Sequence, residues 1–161
     1  MAIKLVISGS CGRMGQAIAR GALQDSVFSL TAALEADGHA ALGSAYSAVL
    51  GQAVTPEIRV AADAQAAISQ GDVLIEFTSP EATVAHAKLA EQLRKPMVIG
   101  TTGLTAQHQA ALTATARVIP IVVSPNMSLG VNVLFELAQA AARRLGPSYD
   151  VEVVESHHRH K

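Results

Sequence analysis

The sequence predicts an α/β fold built on a doubly wound parallel sheet. Short apolar runs alternate with helix-length segments, a glycine-rich turn joins the first run to the first helix, and small polar residues follow several later runs. Such alternation is typical of right-handed βαβ units, whose parallel strands lie buried between layers of helices. Half of the 161 residues are hydrophobic and only 3% are aromatic, so we expect a core of small aliphatic side chains.

The predicted elements follow in chain order. The strands are short apolar runs over residues 3–8, 28–34, 58–61, 73–77, 97–99, 119–123 and 150–155. The helices are amphipathic or alanine-rich segments over residues 13–23, 64–69, 80–94, 106–116 and 129–145. Pro80 suits the first turn of its helix, where the missing N–H costs little, and Gly146 with Pro147 ends the last helix. Residues 40–56 have a weak pattern and are expected to form a long loop.

Composition and charge narrow the function classes. Twelve Lys and Arg stand against thirteen Asp and Glu, which gives no broad positive surface, so we expect no nucleic-acid partner. No apolar run approaches the roughly 18 residues that a membrane helix needs, so we expect no membrane partner. Cys11 is the single cysteine, and the N-terminus carries no signal-peptide pattern. We therefore predict a cytoplasmic protein.

The first turn carries the strongest binding motif, which reads Gly9-Ser10-Cys11-Gly12-Arg13-Met14-Gly15. It follows a predicted strand and opens a predicted helix, which is the setting of the dinucleotide fingerprint in Rossmann-like folds. The glycines permit a sharp turn and a close approach of the backbone to a pyrophosphate, which the helix N-terminus also attracts. The spacing departs from the usual G-x-G-x-x-G. A simple cluster of turn glycines is therefore the alternative.

Glu35 closes the second predicted strand and is positioned to accept hydrogen bonds from the ribose hydroxyls of an adenine nucleotide. Its charge would repel a 2′-phosphate, and the following Ala36 supplies no cation, so we predict NADH in preference to NADPH. Arg13 could still reach a phosphate, which leaves dual use open. The alternative for Glu35 is a solvated loop acid.

Three further loops follow predicted strands, at the edge where open α/β sheets bind ligands. They share small residues with hydroxyl or amide groups, and they are Phe77-Thr78-Ser79-Pro80, Gly100-Thr101-Thr102-Gly103 and Ser124-Pro125-Asn126-Met127-Ser128. We predict that they line the nicotinamide side of the site, with ordinary turn chemistry as the alternative.

The C-terminal residues form a basic cluster. His157 and Lys161 converge in either a strand or a helix, and Arg159 adds a cation. A histidine beside cations can donate a proton to an anionic substrate. The alternatives are a metal site made of three histidines, which the cations disfavour, and a solvated terminus. We predict no metal.

The chain resembles the dihydrodipicolinate reductase family, also called 4-hydroxy-tetrahydrodipicolinate reductase. The motifs that carry the resemblance span the chain in order, and they are the glycine turn, Ile99-Gly100-Thr101-Thr102-Gly103, Asn126-Met127-Ser128-Leu129-Gly130-Val131-Asn132 and Glu155-Ser156-His157-His158-Arg159-His160-Lys161. The resemblance implies reduction of 4-hydroxy-tetrahydrodipicolinate to tetrahydrodipicolinate in diaminopimelate and lysine biosynthesis. Hydride would come from NADH or NADPH.

The resemblance also implies residue roles. The implied cofactor-binding residues are Gly9, Ser10, Cys11, Gly12, Arg13, Met14, Glu35, Gly100, Thr101, Thr102, Ser124, Pro125, Asn126 and Met127. His157 would donate the proton with Lys161 as its partner, and His158 would contact a cyclic dicarboxylate substrate. Family members that use NADP well carry Arg after the acid, where this chain has Ala36, and some carry Arg where it has Ser79.

We expect a dinucleotide-binding domain over residues 1–128 and a truncated α+β substrate and oligomerisation domain that begins at 129–161. The resemblance implies a homotetramer for the full-length protein and little or no activity for these 161 residues alone. Two other functions stay open from the sequence. One is an NAD-dependent dehydrogenase that acts on an amino acid or aldehyde acid, and the other is a non-catalytic nucleotide-binding module.

Overall fold

A computed structural model of the chain describes residues 1–154 and 156. The strands are β1 (Ile3–Ser8), β2 (Phe28–Leu34), β3 (Val60–Ala61), β4 (Val73–Glu76), β5 (Met97–Ile99) and β6 (Ile121–Val123). The helices are α1 (Arg13–Ala22), α2 (Tyr46–Leu50), α3 (Ala64–Ser69), α4 (Pro80–Gln92), α5 (Ala106–Thr115) and α6 (Leu129–Leu145), and a 3-10 turn (Gly146–Ser148) follows α6. Within this described part, none of the helices combines the length and apolarity needed to cross a bilayer.

The six strands form one sheet in the order β3-β2-β1-β4-β5-β6, and every neighbouring pair is parallel. The order runs outward in opposite directions from the β1–β4 pair, which confirms the predicted doubly wound, Rossmann-like sheet. The reversal leaves a crevice at the carboxyl ends of β1 and β4, where folds of this kind bind their ligands.

The core has two parts because successive strand residues point to opposite faces of the sheet. Val6 of β1 belongs to a cluster with apolar residues of α3, α4 and α5. Leu5 and Ile7 belong to a second cluster with residues of α1 and α2. Many of the helix residues in both clusters are alanines, which lets the helix backbones pack close to the sheet.

Several details differ from the sequence expectation, besides the ends of α1, β4, α4 and α5, which come one or two residues early. The expected loop over 40–56 contains α2. The third strand is shorter than 58–61, because the Ile58 carbonyl accepts from Tyr46 N–H and Arg59 bridges Ala45. The sixth strand starts later than residue 119, because Ile119 N–H donates to Thr115 and so extends the turn after α5. Residues 150–154 form no strand, and their three valines are exposed.

The chain divides into two compact units, Met1–Pro125 and Asn126–Lys161. In the second unit, Ser128 caps α6 by accepting a hydrogen bond from Val131 N–H. Helix α6 has exposed apolar residues, which include Phe135 and Leu137. The boundary that we expect after residue 128 stays a prediction.

Candidate functional site

A cleft of about 390 Å³ lies at the carboxyl ends of β1, β2 and β4. Its lining includes Gly9 and Gly12 from the turn after β1, Glu35 after β2, and Thr78 and Ser79 after β4. The sequence assigned these residues to one site from their positions after separate strands. The structure brings them together because parallel strands end at the same edge of a sheet.

The glycine turn fits tightly between β1, α1 and the end of β4. Gly9 has a φ of +72°, and a Cβ there would lie 2.2 Å from the Phe77 carbonyl oxygen. A Cβ on Gly15 would lie 2.2 Å from the Gly9 carbonyl oxygen. Gly12 caps α1 and is exposed at the cleft. The glycines therefore provide the turn, the close helix packing and the open approach that a pyrophosphate requires.

The Glu35 carboxylate holds the turn directly. One oxygen accepts a hydrogen bond from Cys11 N–H at 2.9 Å, and the other accepts from Ala36 N–H at 3.0 Å. The acid and the turn, which the sequence predicts separately, are thus in contact. Glu35 is half-buried and lines the cleft, and its carboxylate keeps further acceptor capacity beyond these two hydrogen bonds.

The remaining predicted residues of the turn have different exposures. Ser10 is fully buried, whereas Arg13 and Met14 lie on the exposed first turn of α1. Burial raises the pKa of the Cys11 thiol and the nearby Glu35 carboxylate raises it further, so the thiol stays protonated at neutral pH. This environment does not favour a reactive thiolate.

Potential ligand atoms of Cys11, Glu35 and His39 lie within 4.8 Å of one another. Both Glu35 oxygens already accept backbone N–H groups, and His39 Nδ1 accepts from Ala41 N–H at 3.1 Å, so these atoms have partners within the protein. Our expectation of no metal stays a prediction.

A hydroxyl network joins the loops after β4 and β5. Thr101 is buried, and its hydroxyl oxygen accepts from Thr78 N–H at 3.2 Å and from the Thr83 hydroxyl at 2.8 Å. A Cβ on Gly100 would lie 2.0 Å from the Phe77 ring, so this loop also packs against the preceding one. Ser79 caps α4 by accepting from Ala82 N–H.

The structure adds a Glu–His pair, half of it buried, that the sequence analysis missed. Glu76 is fully buried at the end of β4, and its carboxylate contacts His86 Nδ1 at 2.8 Å. The Thr78 hydroxyl donates to the same carboxylate, and Ser8 Oγ lies 3.3 Å from His86 Nδ1. Neither Glu76 nor His86 belongs to a recognisable local motif, and the two meet only because α4 folds back beside β4.

A second cavity of about 440 Å³ adjoins the loop after β5, with Thr101, Thr102 and Pro125 in its lining. Ser124 N–H donates to the Ile99 carbonyl at 3.0 Å, which fixes the end of β6. In the second unit, the Asn126 side chain accepts from Ser128 N–H, and Met127 is exposed. The predicted catalytic and substrate residues His157, His158 and Lys161 lie outside the described residues.

The strand order and the glycine turn beside a strand-end acid define a Rossmann-type domain, the class in which dinucleotides bind at this turn. The comparisons with known proteins identify the family. Residues 3–127 match "Dihydrodipicolinate reductase, N-terminus", and residues 130–161 match "Dihydrodipicolinate reductase, C-terminus". The chain belongs to the dihydrodipicolinate reductase family.

Individual relatives support the same family assignment. A 4-hydroxy-tetrahydrodipicolinate reductase from Ralstonia nicotianae is 45% identical over 99% of this chain and 60% of its own length. One from Anaeromyxobacter dehalogenans is 44% identical over 98% of this chain and 58% of its own length. The chain therefore spans about 60% of the length of the curated relatives it matches.

The solved structures support the same fold. A dipicolinate-bound dihydrodipicolinate reductase from Paenisporosarcina sp. TG-14 superposes with a TM-score of 0.72 at 27% identity, over 88% of this chain and 54% of that one. An amine dehydrogenase from Mycobacterium smegmatis shares the fold alone, with a TM-score of 0.60 at 17% identity over 76% of this chain and 38% of that one.

The packing of the turn predicts opposite effects for two glycines of α1. Gly15→Ala should lower the free energy of unfolding by about 3 kcal/mol or more, because its methyl would collide with the backbone of Gly9 and Ser10. Gly21→Ala is the matched control, since it is exposed and a Cβ there meets nothing within 4 Å. It should raise stability by about 0.5–1 kcal/mol in urea unfolding. Equal effects would contradict this packing.

The hydroxyl network predicts a cost for removing its central acceptor. Thr101→Val leaves the Thr78 N–H and the buried Thr83 hydroxyl without this partner, which should lower the free energy of unfolding by about 1–3 kcal/mol. Thr102→Val, at the exposed neighbouring position, should change it by less than about 0.5 kcal/mol. Thermal and urea unfolding measure both, and a stable Thr101→Val protein would argue against the network.

Proposed function

We propose that the intact protein reduces 4-hydroxy-tetrahydrodipicolinate to tetrahydrodipicolinate with a nicotinamide dinucleotide, in diaminopimelate and lysine biosynthesis. The observation that carries the proposal is the contact between Cys11 N–H and the Glu35 carboxylate, which joins the turn proposed for the phosphates to the acid proposed for the ribose. The family membership of the chain supports the particular reaction. The dipicolinate named for the Paenisporosarcina enzyme supports a planar or cyclic dicarboxylate as ligand.

The residues of the first unit would bind and orient the cofactor. The turn from Gly9 to Met14 would receive the diphosphate at the N-terminus of α1, whose dipole favours negative charge. Glu35 would accept the ribose hydroxyls. The nicotinamide side would be lined by Gly100, Thr101, Thr102, Ser124, Pro125, Asn126 and Met127. When bound, NADH or NADPH supplies the hydride.

The basic C-terminal residues would complete the chemistry. His157 would donate a proton to the atom of the substrate that gains negative charge, with Lys161 as its charged partner. His158 would contact the substrate, and the cations would neutralise its two carboxylates. A proton donor of this kind contributes about 10²–10⁴-fold to a rate.

We also propose the domain boundary after residue 128, a cytoplasmic location and a homotetramer for the intact protein, as the sequence and the family resemblance suggest. We propose neither a nucleic-acid nor a membrane partner. The proposed partner is the small cyclic dicarboxylate, and no metal is proposed for the reaction.

We predict that the intact protein binds NADH more tightly than NADPH, because Glu35 would face a 2′-phosphate and the adjacent Ala36 is exposed and uncharged. Ala36→Arg should tighten NADPH binding about 10-fold through a charge-assisted contact. Ala36→Gln is the control for side-chain size and should leave the preference unchanged. Fluorescence titration measures all three, and tighter NADPH than NADH binding by the unaltered protein would refute the preference.

We predict that the intact protein oxidises NADH only when the substrate is present, and that pyridine-2,6-dicarboxylate competes with that substrate. His157→Ala and Lys161→Ala should each lower kcat by about 10²-fold or more, with the Kd for NADH unchanged within about twofold. His160→Ala lies in the same segment, has no proposed role and serves as the control. A normal kcat in the double variant of His157 and Lys161 would remove both residues from catalysis.

A further inference from the structure

Two carbonyls of the glycine turn, those of Ser10 and Cys11, accept hydrogen bonds from side chains that lie outside the turn. The buried Tyr46 hydroxyl donates to the Ser10 carbonyl at 2.8 Å. Gln16 Nε2 donates to the Cys11 carbonyl at 2.8 Å. Tyr46 begins α2, which lies in the segment expected to be a loop, so this contact was not predicted from the sequence.

The neighbouring carbonyls are held by the backbone. The Gly9 carbonyl accepts from Gly12 N–H at 3.0 Å, and the Gly12 carbonyl accepts from Gln16 N–H at 3.0 Å. All four successive carbonyls of the turn therefore have partners inside the fold. This matters because a carbonyl oxygen that pointed into the cleft would repel a diphosphate, whereas N–H groups attract one.

One peptide unit of the turn is held at both ends. The Ser10 carbonyl accepts from Tyr46, and the N–H of the same peptide, which belongs to Cys11, donates to Glu35. Because a peptide unit is planar, fixing its carbonyl also fixes the direction of its N–H. Tyr46 therefore acts, through this peptide, on the position of the carboxylate that faces the ribose.

Other contacts hold Tyr46 in place. Its side chain is 0% exposed, and burial raises the pKa of its phenol, so the hydroxyl stays a donor at all ordinary pH values. Tyr46 N–H donates to the Ile58 carbonyl at 2.8 Å. Arg20 donates both to the Leu50 carbonyl at the end of α2 and to the Gln16 side chain. It therefore links α2 to Gln16, the residue that donates to the Cys11 carbonyl.

We propose that Tyr46 is a positioning residue for dinucleotide binding, with Gln16 in a supporting role. Its hydroxyl holds the Ser10–Cys11 peptide so that the carbonyl stays out of the cleft and the N–H orients Glu35. The inference rests on the proposed function, since it names the cofactor of that same site. Tyr46 itself is buried beneath the turn and need not touch the cofactor.

The test is Tyr46→Phe in the intact protein, which removes one oxygen and keeps the ring. The Kd for NADH should rise about 10-fold, as expected for one lost hydrogen bond to a positioned group. The Kd for ADP, which keeps the ribose and diphosphate and lacks the nicotinamide, should rise by a similar factor. Gln16→Leu should weaken both ligands in the same direction, and it provides a second variant should Tyr46→Phe fold poorly.

Thr31→Val is the matched control for loss of stability. The Thr31 hydroxyl also donates to a backbone carbonyl, that of Leu5 at 3.2 Å, but within the sheet and away from the turn. It should lower the unfolding temperature without changing the Kd for NADH by more than about twofold. A Kd that rises equally in Thr31→Val and Tyr46→Phe would overturn the positioning role.

A measurement without nucleotide separates the proposed role of Tyr46 from the proposed function of the protein. Hydrogen exchange at the Cys11 amide should be at least about 10-fold faster in Tyr46→Phe, whereas the Ile7 amide within β1 should be unchanged. Unaltered Cys11 exchange, or NADH binding within twofold of the unaltered protein, overturns the role of Tyr46 and leaves the proposed function standing. Failure of the unaltered protein to bind NADH overturns both, even where the exchange difference is seen.

Discussion

The close approach of backbone to backbone at the glycine turn is the constraint on which the first unit depends. Gly9 touches the end of β4, and Gly15 brings α1 against Gly9, at distances that no Cβ would permit. These two contacts place the N-terminus of α1 at the crevice where the strand order reverses. They also bring Cys11 N–H within 2.9 Å of Glu35. The same backbone contacts therefore determine both the packing of α1 and the geometry of the site.

The N-terminal caps of the helices support the binding of an anion at this turn. Asp63, Ser79, Thr105 and Ser128 each accept a backbone N–H at the start of α3, α4, α5 and α6. The N-cap residue of α1 is Gly12, which has no side chain to do so, and the first turn of α1 contains no acidic residue. The five-residue helix α2, with Ala45 as its N-cap residue, also lacks a side-chain cap. A side-chain cap is worth about 1 kcal/mol, so its omission at a helix of ten residues has a cost. A bound diphosphate would offset that cost by interacting with the same N-terminus.

The sequence analysis correctly predicted the elements whose bounds are determined by local patterns. The bounds of β1, β2, α3, β5 and α6 match, because apolar runs, caps and the Gly146-Pro147 break lie within each segment. The sequence missed α2 and the contacts of Tyr46, whose carbonyl partner Ser10 lies 36 residues away. It missed the Glu76–His86 pair for the same reason, since only the packing of α4 on the sheet joins them. Residues 150–154 have a strand-like pattern and form no strand, because the pattern is local whereas strand pairing depends on a partner segment elsewhere in the chain.

Glu35 holds the fold and still has acceptor positions for the ligand proposed at this site. Each of its oxygens accepts one backbone N–H, from Cys11 or from Ala36. A carboxylate offers about four acceptor positions, so two remain for ribose hydroxyls without loss of either internal contact. Binding of the ribose therefore need not disturb the turn, and the site is preorganised in this respect. A 2′-phosphate would replace a hydroxyl donor with a second negative charge at the same place. The proposed preference for NADH over NADPH would thus follow from the same carboxylate that holds the turn.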